Sequence, residues 1–236
     1  MGVMSGWDAE AVTALRGAVY RGDGSVVEVV AGRLTSDVLQ LAGDGLADAV
    51  SGGVDRAAEL AARCAVALRE RAWDGDEELA DQLDAALGQG ATPLLRALPV
   101  DLADLAALLE GDPQWGGGRV DLRTGECWPS PMDYSEDDDE DDDEDRWLHV
   151  DSMGSDDGYR DMELFIGTVG NPAIADRLEI AISGKGAFRR FKDVLSRWPS
   201  ELQRYFLLSE ERQRGRARAW LATQGYRPSR AVRPSP

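Results

Sequence analysis

Histidine, cysteine and lysine are scarce in this chain of 236 residues, which holds one His, two Cys and only two Lys. The single histidine, His149, rules out a His-based metal triad and argues against a Ser/His/Asp or Cys/His centre. In an alternating stretch beside Trp147 and Asp151, it reads as a hydrogen-bonded structural residue. Cys64 lies in an alanine-rich helical stretch and Cys127 beside Trp128. They have neither paired metal spacing nor the density of a disulfide scaffold, and both read as buried free thiols. There is no run of about 18 apolar residues, and the first residues lack a basic segment followed by an apolar one. The expectation is a cytoplasmic protein that does not enter a membrane. Neither Gly-x-x-x-x-Gly-Lys-Ser/Thr nor Gly-x-Gly-x-x-Gly occurs, so a nucleotide-binding enzyme of known loop type is not expected. No cofactor and no metal are expected either.

Acidic residues dominate what is present. The formal net charge is −18, which opposes attraction of the whole molecule to nucleic acid or anionic membrane. The charge is partitioned, however. From Ser183 onward there are 13 Lys and Arg against 4 Asp and Glu, while the rest of the chain carries 13 against 40. Both lysines lie in Gly184-Lys-Gly-Ala-Phe-Arg-Arg-Phe-Lys-Asp193, which opens this basic region.

The first 110 residues or so read as short amphipathic helices with cap chemistry at each break. Val38, Leu39, Leu41, Ala42 and Leu46 form one apolar stripe, and Leu60, Ala61, Cys64, Ala65 and Leu68 another. Residues 25–30, rich in valine, read as a helix with a strand as the alternative. Asp101 caps a further helix carrying Leu102, Leu105, Leu108 and Leu109. Then the pattern changes. Residues 119–122 and 126–128 flank Arg123-Thr-Gly125 as a hairpin, and residues 147–150 make a third strand. Ten consecutive carboxylates at 136–145 lie between them. Their mutual repulsion keeps them out of any core, so a disordered insertion is expected at 133–145.

Downstream, Tyr159, Met162, Phe165, Ile166 and Val169 share a helix face, and Asn171-Pro172 opens a helix bearing Ile174, Leu178, Ala181 and Ile182. After Gly184 and Gly186, a third helix places Phe188, Phe191, Leu195 and Trp198 inward, with Lys185, Arg189, Lys192 and Ser196 facing solvent. Pro199 starts another turn, Ser209 caps a final helix, and residues 227–236 form a flexible tail. The fold class is α+β, mostly α: a helical domain at 1–98, then a hairpin-plus-helices domain at 99–226.

Lys185, Arg189, Lys192, Arg212 and Arg216 are the candidate binding residues, for phosphate groups of nucleic acid or for an acidic protein partner. Backbone N–H groups after Gly184-Lys-Gly, at the positive end of a helix, suit an anion; the bland alternative is a flexible turn between solubilising charges. Phe188, Phe191 and Trp220 sit at core spacing and are not base-stacking platforms. Asp156, Asp157, Asp161 and Glu163 near His149 offer a rival carboxylate- or metal-dependent enzyme, although acidic residues also suit a helix start. A third alternative is self-association through the N-terminal helices. The acidic run reads first as a solvated linker and second as an internal competitor for the basic face.

Four words in the chain, Val120-Asp-Leu-Arg-Thr-Gly-Glu126, Tyr159-Arg-Asp-Met-Glu-Leu-Phe-Ile166, Gly184-Lys-Gly-Ala-Phe-Arg-Arg-Phe-Lys-Asp193 and Arg216-Ala-Arg-Ala-Trp-Leu221, carry a resemblance to uncharacterised protein family 0158, a group of bacterial and plastid proteins. It extends over about residues 99–226. It implies a small hairpin followed by helices, with the acidic insertion as a departure from the family pattern, and it implies no activity.

Overall fold

The computed structural model describes residues 6–91, 94–111, 116–130 and 144–230. In chain order these form α1 (Ala9–Arg21), α2 (Val26–Val30), α3 (Leu39–Ser51), α4 (Ala57–Arg71), α5 (Asp76–Ala86), β1 (Arg96–Leu98) and α6 (Leu102–Leu109). There follow β2 (Gly118–Asp121), β3 (Cys127–Pro129), β4 (Trp147–Val150), α7 (Asp156–Thr168), α8 (Pro172–Ile182), α9 (Ala187–Leu195), α10 (Pro199–Thr223) and β5 (Tyr226–Pro228). The class is α+β, mostly α. Residues 25–30 resolve as helix α2, with Val26, Val27 and Val30 buried. Of the acidic run, residues 136–143 lie outside the described residues.

Two compact units divide the chain, one made of residues 1–93 and 159–215, the other of 94–158 and 216–236. Each is thus built from two separate stretches, whereas the sequence reading drew consecutive segments.

In the first unit, α3, α4 and α5 pack on one another. Both expected stripes are buried, from Val38, just before α3, to Leu46 on α3, and from Leu60 to Leu68 on α4. Alanines such as Ala61 and Ala65 on α4 allow the close approach. A second core in this unit gathers Met162, Phe165 and Ile166 of α7, Ile174, Leu178 and Ile182 of α8, Phe191 and Leu195 of α9, and Tyr205 of α10. Phe165, Phe191 and Tyr205 meet edge to face in all three pairings, at 4.8–6.2 Å between ring centroids.

In the second unit, β3-β2-β4 form an antiparallel sheet. Val120 and Val150 point into a core shared with Leu105, Leu109, Ala217 and Leu221. On the other face, Arg119 lies in register with Trp128 on one side and His149 on the other. The expected hairpin and third strand are all present. His149, however, is exposed, and Cys127, expected as a buried thiol, is only half-buried. Strand alternation explains the exposure of His149, because Leu148 and Val150 take the core side.

Two expectations for the C-terminal region are corrected. Ser209 does not start a helix, because α10 runs unbroken through it for 25 residues. Residues 227 and 228 are not free tail, because β5 pairs in parallel with β1, matching Arg96 with Tyr226 and Leu98 with Pro228. The Ser229 N–H also donates to the Leu98 carbonyl at 2.8 Å. Residues 231–236 lie outside the described residues.

Candidate functional site

The turn at residues 183–186 joins α8 to α9, with Gly184 at φ 79° and Gly186 at φ 76°. Left-handed backbone of this kind suits glycine. Arg190 shapes the turn from within. Its guanidinium donates to the carbonyls of Ala181 at 3.1 Å, Ser183 at 2.5 Å, Gly184 at 3.2 Å, and Lys185. A cation is thereby held at the C-terminal end of α8, where unpaired carbonyls and the negative end of the helix dipole gather. No local pattern separates Arg190 from Arg189 beside it; only the fold turns one back and the other outward.

Ala187, Phe191 and Leu195 bury the inner face of α9. Lys185, Arg189 and Lys192 are all exposed, and Arg189 at 91% side-chain exposure meets Asp193 only loosely, at 3.8 Å. Such a pair contributes little. Gly186 supplies no side-chain cap to α9, so the helix presents its first N–H groups between Lys185 and Arg189. Phe188 and Phe191 belong to the core, in keeping with their spacing.

Arg212 and Arg216 behave differently. In the first unit, Arg212 donates through Nε to Asp161 Oδ1 at 3.0 Å, approaches Asp74 at 3.6 Å, and lies over the Trp73 ring. Asp161 is 1% exposed and needs a charged partner at that depth. In the second unit, Arg216 Nε donates to Glu110 Oε1 at 2.9 Å, with 9% of the Arg216 side chain exposed. The five candidate residues therefore separate into three exposed cations around α9 and two arginines committed to carboxylates.

Sequence reasoning missed why α10 carries so many charges. Arg214 pairs with Asp44 at 2.8 Å. Glu211, 1% exposed, accepts the N–H groups of Gln40 at 2.7 Å and Leu41 at 2.9 Å, at the start of α3, together with Arg71 Nη1 at 2.9 Å. Burial pushes the Glu211 carboxyl above its ordinary range, and Arg71 and the two N–H groups oppose that shift. Arg71 also donates to both oxygens of Asp76, which in turn accepts from Gln40. The available signal was the matching excess of acid upstream and arginine downstream, but a count of charges names no pairs.

The rival carboxylate cluster is not held together as a site. Asp161 is committed to Arg212, Asp156 and Glu163 are exposed, and Asp157 is half-buried. Among the described residues, no three His, Cys, Asp or Glu side chains are placed to hold a metal ion. A further cluster escaped the sequence reading, on the outer face of the β3-β2-β4 sheet. Arg119 stacks over Trp147 at 4.0 Å, Arg146 lies over the same ring at 4.7 Å, and Trp128 meets it edge-on at 6.3 Å. Arg146 also bonds Asp121 at 2.6 Å and holds that carboxyl below the usual carboxylate range. Among the described residues, no helix is long and apolar enough to cross a membrane.

Residues 131–231 match the model of an uncharacterised protein family (UPF0158). The matched stretch contains β4, α7 to α10 and β5, and with them the words at 159–166, 184–193 and 216–221. It starts after β3, so the hairpin word at 120–126, expected within the resemblance, lies outside it. No curated protein and no solved structure matches the chain. The match thus covers the segment that carries α9 and implies no activity for it.

Proposed function

We propose that this chain is a non-enzymatic binding module whose exposed cations around α9, Lys185, Arg189 and Lys192, take up phosphate groups of nucleic acid. The observation that carries the reading is their contrast with Arg212 and Arg216. Arg212 on buried Asp161 and Arg216 on half-buried Glu110 are not spare, whereas Lys185 and Lys192 are exposed and Arg189 has only a weak surface partner. The uncapped start of α9 adds N–H groups of the right polarity.

Anisotropy of labelled single-stranded RNA and duplex DNA, at low and moderate salt, tests it against a Lys185→Glu, Arg189→Glu, Lys192→Glu variant. About three cation–phosphate contacts give a log–log salt slope of roughly −2 to −3, and the variant is expected to lose both the affinity and the slope. Equal binding by the variant, or no binding by the wild type at low salt, overturns the reading. An acidic protein would then be the ligand class to test on the same face.

The acidic run bears on this affinity. Changing all ten carboxylates at 136–145 to amides moves the formal net charge from −18 to −8, and oligonucleotide affinity at low salt is expected to rise. An unchanged affinity removes the run as a competitor.

A further inference from the structure

The segment from α7 to α9 has the parts of a helix-turn-helix unit. α8 has 11 residues and α9 has 9, joined by the turn at 183–186 with two left-handed glycines. Such motifs join two helices by a short, often glycine-containing turn and place the second in the major groove of DNA. α7 closes the apolar core behind them through Met162, Phe165 and Ile166. The turn is fixed internally by the Arg190 guanidinium on the carbonyls of Ala181, Ser183 and Gly184. The turn before the second helix is therefore tied down without drawing on Lys185, Arg189 or Lys192.

We propose that α9 is the helix this protein inserts into the major groove of duplex DNA. Arg189, in the first turn of α9, reaches base edges, while Lys185 in the turn and Lys192 one helical turn further on contact flanking phosphates. The proposal rests on the phosphate-binding reading of the same face and narrows it to one ligand. Charge complementarity favours an anion, and the disposition of the aromatics favours a duplex over a single strand. Proteins that hold single strands offer exposed aromatic rings for bases to stack on; here Phe191 is fully buried and Phe188 packs against the core. What α9 offers outward is a narrow rod of cations, and the major groove admits an α-helix. In the first turn of such a helix, a long guanidinium suits paired acceptors on guanine. Asp193 shares this face, but its contact with Arg189 is long and exposed and yields to a phosphate or a base edge.

The test uses the full chain, a mixed-sequence DNA duplex and its single strand, and two competitors, methyl green for the major groove and netropsin for the minor groove. The wild type is expected to bind the duplex at least about tenfold more tightly than the single strand and to be displaced by methyl green but not by netropsin. Arg189→Ala is expected to weaken duplex binding, whereas Arg177→Ala on α8 leaves it unchanged. Equal binding of the single strand, or displacement by netropsin, overturns the major-groove proposal while leaving phosphate binding intact. Binding of neither nucleic acid, or binding that survives Lys185→Glu, Arg189→Glu, Lys192→Glu, overturns both.

Discussion

Replacing Arg71 by alanine is expected to lower the stability of the first unit by about 3–5 kcal/mol near neutral pH, the cost of leaving buried charge without its partner. Arg71 is 6% exposed and bonds Asp76 and Glu211, each 1% exposed. One guanidinium thus serves two carboxylates that have left water. Without it, Glu211 retains the N–H groups of Gln40 and Leu41, and Asp76 retains Gln40 and the N–H of Trp73; neither retains a cation through these bonds. The pH dependence follows from the direction of the Glu211 shift. Burial already raises this carboxyl, and loss of Arg71 raises it further. A group with a raised folded pKa favours the folded state below its unfolded pKa, and this contribution disappears as pH rises through the folded value. The defect in Arg71→Ala should therefore be largest near neutral pH and shrink as pH falls toward the ordinary glutamate value of about 4.3. Urea midpoints for wild type and variant, near neutral pH and at about pH 5, measure this; a defect that grows on acidification contradicts the assignment.

Gly215→Ala is expected to destabilise by roughly 3 kcal/mol, although Gly→Ala within a helix ordinarily stabilises by up to about 1 kcal/mol. At Gly215, a Cβ would lie 2.1 Å from the Asp74 carbonyl oxygen. At Gly75, with φ 76°, it would lie 2.1 Å from the carbonyl oxygen of Gly215. Two backbones therefore touch, α10 against the turn before α5, and neither is a flexible side-chain end that could swing aside. Gly167→Ala in α7 is the control, since its Cβ would meet nothing within 4 Å; it is expected to be neutral or stabilising by a few tenths of a kcal/mol. Thermal unfolding of the two variants should shift in opposite directions. A Gly215→Ala protein as stable as wild type would mean that α10 and this turn do not meet.

Much of the fold was legible because its signals are local. Asp101 and Asn171 accept the N–H groups of Ala103 and Ala173 at 2.7 and 3.0 Å, as cap chemistry at those positions requires. The stripes on α3, α4 and α6 are buried as written, and the inner faces of α7 to α9 are too, except that Tyr159, Phe188 and Trp198 are only partly buried. The exposure of Lys185, Arg189 and Lys192 was legible for the same reason, since a period near 3.6 residues separates the two sides of one helix.

Other features could not be read. Strands β1 and β5 are three residues each and pair across the length of the chain, Arg96 with Tyr226; neither shows enough alternation to announce itself. Ser209 looked like a cap because serine caps helices, yet α10 continues through it. The contacts that hold α10 there, such as Glu211 with Arg71 and Arg214 with Asp44, join residues too far apart in sequence for any local pattern.

The sequence by itself determined most of the helical segments, which face of each is apolar, and that the basic charge collects after Ser183. Only the tertiary structure decided where that charge goes. It turned Arg190 onto the end of α8 and set Arg212 and Arg216 on separate carboxylates. The physical reason is that a hydrophobic period is a property of one helix, whereas the fate of a charge depends on which opposite charge the fold buries beside it.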